Sequence, residues 1–274
     1  EGHLGDLSPN AGPLPAPVPG RRRPMGWVLR SFIGLGILLL GFFLYVVAGL
    51  PSRSAVRSLA RTTPARTALM RERETQARKA KRVLGHSQAW VPLDRVSRSL
   101  VDAVVVAEDP NFFSHNGIDW GALKEAAQAD FRLRRYFSGG STITQQLAKN
   151  LFFSSRKSVV RKIRELIVAR WLEDALNKRR ILELYLNVIE WGDGVYGCEA
   201  AAHRYYGKSA AELSETEAAG LAAMIPSPRR FNPRTNPAGH QQAQRRILFL
   251  MSQRGDLKRA VGGVGAVPAE EPME

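Results

Sequence analysis

The alternation of apolar and polar positions along this chain predicts a mainly α-helical protein. An uncharged run covers residues 31–50, and twenty residues in a helix span roughly 30 Å, the thickness of a bilayer core. Farther along, an apolar run at 99–107 precedes segments in which apolar residues recur at helical spacing. The predicted helices cover about 120–134, 142–153, 158–177, 181–186, 200–206, 217–224 and 241–253. Strand signals are few, and the glycine-rich stretch 190–197 is predicted to be a loop.

The first fifty residues divide into a leader and an apolar segment. Residues 1–26 are rich in Pro and Gly without periodicity, which is typical of a disordered leader, here expected on the cytoplasmic side. Residues 27–50 are predicted to form a transmembrane anchor rather than a cleaved signal peptide, because the apolar run is long and no small-residue cleavage site follows it. Arginines flank the run equally on both sides, so the positive-inside rule does not decide its orientation.

The remaining chain is predicted to comprise a stalk, a domain and a tail. Residues 51–85 are strongly basic and resemble a juxtamembrane stalk over anionic headgroups, although a solvated helix around Arg71 and Glu74 explains part of the pattern equally well. A compact domain is expected over 86–254. The composition then turns to Gly, Val, Pro and Glu, which predicts a flexible tail over 255–274.

The charge balance narrows the class of partner. Forty Lys and Arg residues oppose 25 acids, a net charge of +15, which favours polyanionic partners such as membrane lipids or phosphorylated substrates. Nucleic acid is not expected, because no nucleic-acid-binding motif occurs and the chain carries a membrane anchor. The single Cys198 excludes an intramolecular disulfide, and the five scattered histidines lack metal-ligand spacing.

The stretch 137–150 carries the strongest chemical signal. Its glycine pair opens onto a hydroxyl- and amide-rich run that becomes helical, and a helix entered from such a turn offers free N–H groups to an anion. Upstream, Glu108 lies between an apolar run and an aromatic turn, a setting that raises a carboxyl pKa toward the range of a general base. A solvated Glu108–Asp109 pair at a helix end is the alternative.

Downstream, Arg161 and Glu165 are i,i+4 neighbours. They form either a plain surface ion pair or part of a cationic wall for phosphates, which Lys149 and Lys157 would extend.

Five stretches together resemble the peptidoglycan glycosyltransferases, glycosyltransferase family 51. They are residues 108–117, 139–146, 161–165, 178–187 and 200–208, in the order that the family has them. Within the family, the stretches 64–70 and 190–197 resemble the monofunctional members. About 37 residues follow Pro237, so no transpeptidase domain is expected.

The resemblance implies a lysozyme-like, mainly α domain with a large lobe and a smaller membrane-facing lobe. Its substrates would be lipid II and the growing lipid-linked glycan, and the domain would lie on the outer, periplasmic face of the cytoplasmic membrane. Glu108 would be the catalytic base and Glu165 the second acid, near the pyrophosphate. The substrate-binding residues carried over by position are Ser141, Thr142, Gln145, Gln146, Lys149, Asn150, Lys157, Arg161, Lys162 and Arg164. No cofactor is required, a divalent Mg²⁺ or Mn²⁺ at the pyrophosphate is left open, and other cell-wall synthesis proteins are candidate partners.

One position departs from the family pattern. The family usually has an arginine eight residues before the second Glu, where this chain has Lys157 and places Arg156 one position earlier. Lysine keeps the charge but lacks the two-pronged donor geometry that suits phosphate.

Two other functions are consistent with parts of the chain. A glycan-cleaving enzyme of lysozyme type would share the fold but would have no use for the cationic residues. A membrane-anchored scaffold with a degenerate site would show damaged motifs, whereas Glu108, Glu165 and the run 141–146 are intact.

Overall fold

A computed structural model of the chain describes residues 25–133, 140–156 and 158–262. Outside these residues lie positions 1–24 of the predicted leader (1–26), residues 134–139 with the start of the stretch 137–150, Lys157, and positions 263–274 of the predicted tail. The chain divides into two compact units, residues 1–45 and 46–274. The described residues contain eleven α-helices, three short strands and two 3₁₀ helices, so the prediction of a mainly α fold is confirmed.

The bounds of the helices follow the capping signals closely. The helices are α1 Met25–Ala48, α2 Arg53–Ser58, α3 Ala68–Lys79, α4 Arg98–Glu108, α5 Trp120–Leu133, α6 Ile143–Phe152, α7 Val159–Ala175, α8 Lys178–Val188, α9 Cys198–Tyr206, α10 Glu215–Met224 and α11 Pro237–Gly262. Thr142, Ser158, Asn177 and Ser214 each accept a hydrogen bond from a backbone N–H in the first turn of the following helix. Such caps satisfy donors that a helix leaves open at its start.

Helix α1 is long and apolar enough to cross a membrane. Its side chains are largely exposed, among them Trp27 at 62%, Phe32 at 68% and Ile37 at 67%. A continuous exposed apolar surface of this kind is unfavourable in water and fits a lipid environment. The prediction of one N-terminal apolar helix is therefore confirmed.

The second unit is built around one hydrophobic core. Helix α10 packs on α4 and α11, and α6 packs on α7, α8 and α3. The core includes the fully buried side chains of Tyr185, Trp191 and Phe112. The last residue of α4 contacts α6, and α6 packs on α7, so these helices and the turn before α6 carry the predicted site residues.

The segment predicted as a stalk contributes to this core. Val56 and Leu59 are buried in the main cluster, and Met70 of α3 is fully buried. The solvated-helix alternative is correct only for the outer face of α3, since the inner face packs on α6. The basic composition of the segment did not indicate this contribution to the core, because only a few apolar side chains are needed to attach so short a helix.

The stretch 190–197 is not the predicted loop but a buried hairpin. Strand β2 (Glu190–Gly192) pairs antiparallel with β3 (Val195–Tyr196), and β1 (Ser87–Gln88) pairs parallel with β3. Gly194 has a φ of +74° in the turn, a conformation open to glycine at no steric cost. The glycines thus marked the turn, whereas the strands are too short to give a periodic signal. At the other end of the chain, α11 runs beyond the predicted helix end at 253 and extends to Gly262.

Candidate functional site

Glu108 is the last residue of α4 and is held by a relay of two hydrogen bonds. Gln146 Nε2 donates to Glu108 Oε2 at 2.6 Å, and the hydroxyl of the buried Tyr185 donates to Gln146 Oε1 at 3.0 Å. Burial raises the pKa of Glu108, and this effect outweighs the hydrogen bond from Gln146 and the positive charge of Lys149, which both lower it. A carboxylate with a raised pKa and an oriented partner can accept a proton near neutral pH.

The neighbouring Asp109 is structural. Its carboxylate accepts hydrogen bonds from the backbone N–H of Ile143 at 3.0 Å and from His115 Nε2 at 2.9 Å. The N–H of Gly117 donates to His115 Nδ1, which assigns the proton of the neutral imidazole to Nε2. Asp109 thereby fixes the start of α6 directly beside Glu108. The two acids are therefore not an equivalent solvated pair.

The turn that leads into α6 is held by the residues that pack against it. Gly140 has a φ of +76°, and a Cβ there would lie 3.0 Å from the Cβ of Ala126. Thr142 Oγ1 donates to the carbonyl of Gly117 at 2.7 Å, and Gln145 Nε2 donates to the same oxygen at 3.2 Å. Thr142 and Gln145 are both buried. Both are among the predicted substrate-binding residues, and in the structure their side chains face the loop at Gly117.

Lys162 connects α7 to this turn. Its Nζ donates to Ser141 Oγ at 2.8 Å and to Gln145 Oε1 at 2.6 Å, and it lies 3.7 Å from Glu165 Oε2. Burial, followed by the charges of Arg161 and Lys149, lowers the pKa of Lys162 to about 8. Lys162 thus orients Ser141 and Gln145 while it contributes positive charge.

Glu165 is buried and paired. Its Oε1 accepts a hydrogen bond from Arg161 Nη1, and its Oε2 faces Lys162. The predicted i,i+4 pair therefore exists, but it is buried rather than a surface pair. Two cationic partners hold Glu165 as an acceptor, which makes it unsuited to donate a proton.

A cleft of about 250 Å³ is lined in part by Gln146, the hydrogen-bond partner of Glu108. Its lining includes Gln146, Lys149, Asn150 and Arg161 from the predicted set, together with Arg73 and Glu190, which the sequence did not single out. The pKa of Lys149 is lowered, first by burial and then by the charges of Arg161 and Arg73. No described residue accepts a hydrogen bond from Lys149. An open cleft lined by several cations is suited to an anionic ligand.

Two predicted residues do not join this arrangement. Arg164 is not among the residues that line the cleft; its Nε donates to the carbonyl of Val46 at 3.0 Å and its guanidinium lies against Gly49. Positions 161 and 164 lie only about 60° apart around a helix, so the sequence spacing alone does not separate them. Lys157 lies outside the described residues.

The described residues contain one group with metal-ligand spacing, formed by Asp109, His115 and Asp119. Its atoms already bond to each other and to the N–H groups of Ile143 and Ala122. These contacts explain the cluster as a helix-capping network. Neither Glu108 nor Glu165 belongs to such a group among the described residues.

We expect Tyr185→Phe to move the acidic limb of the activity profile to higher pH. Without the tyrosine hydroxyl, the amide of Gln146 is free to turn its carbonyl toward Glu108, which favours the protonated acid and raises its pKa. Activity should fall about tenfold per unit of displacement on the acidic side and recover at high pH. The measurement is kcat/KM between pH 5 and 9. Tyr205→Phe, which removes a bond to the Trp191 carbonyl, should leave the acidic limb of the profile at its wild-type pH. If the acidic limb of Tyr185→Phe also stays there, the proposed hydrogen-bond relay from Tyr185 to Glu108 is wrong.

We also expect kcat/KM to decline above pH 8. As pH rises through about 8, Lys162 loses its proton and the site loses a positive charge. A bound anion keeps the lysine protonated, so kcat should be less affected than KM. Lys162→Arg retains the charge at all accessible pH values and should abolish the decline. If Lys162→Arg shows the same decline as wild type, a different group is responsible.

Comparison with known proteins identifies the family of this chain. Residues 74–252 match the family model described as transglycosylase. A biosynthetic peptidoglycan transglycosylase from Thiobacillus denitrificans is 49% identical over 193 residues, which is 70% of this chain and 78% of the relative. Its namesake from Bordetella avium is 42% identical over 214 residues, or 77% of this chain and 88% of the relative. The lysozyme-like helical fold is consistent with this match. Because the family model covers more than half of the chain, the chain belongs to the transglycosylase family and is a glycosyltransferase.

Proposed function

We propose that this enzyme polymerises lipid II into the glycan strands of peptidoglycan. The donor is the growing glycan, which still carries its undecaprenyl pyrophosphate, and the acceptor is lipid II. Glu108 takes the proton of the acceptor's GlcNAc 4-hydroxyl while that oxygen bonds to C1 of the donor's MurNAc. The bond between C1 and the pyrophosphate oxygen breaks, the anomeric centre inverts from α to β, and undecaprenyl pyrophosphate departs with the bonding electrons.

The observation that carries the proposal is the position of Gln146. It donates to Glu108 and also lines the cleft with Lys149 and Arg161. A single residue thus joins the candidate base to a cationic pocket. Negative charge develops on the pyrophosphate oxygen as it leaves, and fixed cations that face this oxygen lower the barrier. Pyrophosphate departs without protonation, so one base is sufficient.

The state of Glu165 argues against a glycan-cleaving enzyme. Glycoside hydrolysis uses two carboxyl groups, one of which must donate a proton to the leaving sugar. Glu165 accepts from Arg161 and faces Lys162, and these cations stabilise its ionised form. We infer that Glu165 organises the cationic residues of α7 for the pyrophosphate.

Helix α1 would anchor the enzyme in the cytoplasmic membrane with the catalytic domain on the outer face, where flipped lipid II is available. The balance of arginines around the helix does not decide this orientation. A topology reporter fused after Gln253 tests it. An active reporter in the cytoplasm would contradict this orientation.

The test of the function is polymerisation by the purified full chain. Labelled lipid II should become a polymer that lysozyme digests, with release of undecaprenyl pyrophosphate. Wild-type protein that makes no polymer but degrades isolated peptidoglycan would favour the hydrolase. Protein that binds lipid II without turnover would favour the scaffold.

A further inference from the structure

Arg73 brings a third cation to the cleft from a helix outside the five motifs. It lies in the middle of α3, and its side chain lines the cleft together with Lys149 and Arg161. Its charge is close enough to Lys149 to lower the pKa of that lysine. Helix α3 belongs to the basic segment that the sequence predicted to be a stalk, so nothing in the motifs marked this arginine.

Two side chains hold the Arg73 guanidinium in place. Its Nε donates to Glu190 Oε2 at 2.9 Å, its Nη1 donates to Gln76 Oε1 at 3.0 Å, and its Nη2 lies 2.8 Å from Glu190 Oε2. A guanidinium has five N–H donors, so these contacts leave one N–H on Nη1 and at least one on Nη2. Its side chain remains 20% exposed, whereas that of Glu190 is only 4% exposed. The guanidinium is therefore fixed and still accessible.

The residues that line the cleft are mostly positive. Its lining holds three cations and one carboxylate, Glu190. Glu165 and Glu72 act on Arg161 from outside the lining, and Glu108 acts on Lys149 in the same way. Lys149 has no acid within ion-pair distance among the described residues. Cations placed together at a desolvated site repel one another, and an anionic ligand relieves this repulsion.

We propose that Arg73 is a phosphate-binding residue whose two open N–H groups donate to the pyrophosphate of the lipid-linked substrate. The proposal rests on the function proposed above and adds a residue to that site. A planar guanidinium can bind two phosphate oxygens at once, and Arg73 supplies this geometry from α3.

Three single variants separate this role from a purely structural ion pair. Arg73→Gln removes the cation, Glu190→Gln keeps the cation and releases it from its acid, and Arg71→Gln changes an exposed arginine on the same helix. The readouts are KM for lipid II and the inhibition constant of inorganic pyrophosphate. We expect Arg73→Gln to raise both about tenfold or more, in line with a lost charge-assisted hydrogen bond. Glu190→Gln should raise both by less than Arg73→Gln does, because the cation remains in the cleft, and Arg71→Gln should match wild type.

A structural ion pair would give a different pattern, in which Arg73→Gln and Glu190→Gln impair the enzyme equally; that result would overturn the proposal. Arg73→Gln also leaves Glu190 buried without its partner, which could unfold the protein. The double variant Arg73→Gln/Glu190→Gln replaces the charged pair by two amides. It should therefore fold, and it should show the same rise in KM as Arg73→Gln. A double variant with wild-type KM would contradict phosphate binding by Arg73.

The two proposals fail in distinguishable ways. If wild-type protein makes no polymer from lipid II, the proposed function is wrong. If wild type polymerises lipid II and Arg73→Gln has wild-type KM and pyrophosphate inhibition, only the role of Arg73 is wrong.

Discussion

Glu108→Gln is expected to abolish polymerisation and to stabilise the fold at neutral pH. Loss of a general base lowers a rate by about 10²- to 10⁴-fold, and glutamine at position 108 cannot take the proton of the acceptor hydroxyl. Stability should change in the opposite direction, because burial raises the pKa of Glu108 in the folded state. At neutral pH the wild-type protein keeps a charge in a place that disfavours it, and glutamine removes this charge. Polymer yield and thermal melting measure the two effects.

The stability gained by Glu108→Gln should depend on pH in a defined direction. A raised folded-state pKa means that stability is lost as pH rises through that pKa. Glu108→Gln should therefore have a higher melting temperature than wild type at pH 7, and this difference in melting temperature should vanish below the ordinary glutamate pKa of 4.5. Glu215→Gln, which changes an exposed acid at the start of α10, should alter neither activity nor this difference. Polymerisation by Glu108→Gln at the wild-type rate would refute the assignment of the base.

Lys149→Met is expected to lower kcat/KM by about 10²- to 10³-fold, a loss typical of removing one group that stabilises developing charge. Methionine preserves the length and apolar stem of the side chain, so the change is mainly electrostatic. The pKa of Lys149 is lowered by burial, and the charged lysine therefore costs stability at neutral pH. The variant should melt higher than wild type at pH 7, and the difference should shrink as pH rises toward the ordinary lysine pKa of 10.5.

Lys149 also lowers the pKa of Glu108, so its effect on the base must be separated from its effect on the leaving group. The charge of Lys149 lowers the pKa of Glu108, and its removal should move the acidic limb to higher pH. If raising the pH restores full activity to Lys149→Met, the lysine acts only through the base and not on the leaving group. Lys79→Met, at the exposed end of α3, should change neither kcat/KM nor the melting temperature.

These two variants test a common feature of the site. Glu108 and Lys149 are both held in surroundings that disfavour their charged forms, and each should cost the fold stability. Residues that serve catalysis are commonly kept under such conditions. A gain in stability together with a loss of activity in both variants is the result expected of a working site. A structural ion-pair network would lose stability instead.

The positions of the helices and most of the site were predictable from local sequence. Thr142, Ser158 and Ser214 marked helix starts because a hydroxyl cap acts within one turn of the chain. The uncharged run 31–50 predicted the apolar helix α1 from length and composition alone. The order of the five motifs indicated the family, and the transglycosylase match confirms it.

Which charged residues line the cleft, and which do not, depended on the tertiary structure. Sequence spacing grouped Arg164 with Arg161 and Lys162, whereas in the structure the Arg164 guanidinium lies against Val46 and Gly49, outside the lining of the cleft. Thr142 and Gln145 are buried behind the turn only because the loop at Gly117 packs there. These contacts depend on which surfaces pack together in the folded chain, and no local sequence pattern specifies that packing.

The sequence by itself thus determined most helices after residue 119, the apolar N-terminal helix, the family and the candidate base Glu108. The tertiary structure alone decided how Gln146 links Glu108 to the cleft, how Glu165 is held by two cations, and how Arg73 reaches the same cleft from α3. The physical reason is the range of the interactions. Capping and helical periodicity act over a few residues, whereas desolvation and the pairing of charges depend on side chains that are distant in the chain and adjacent only after folding.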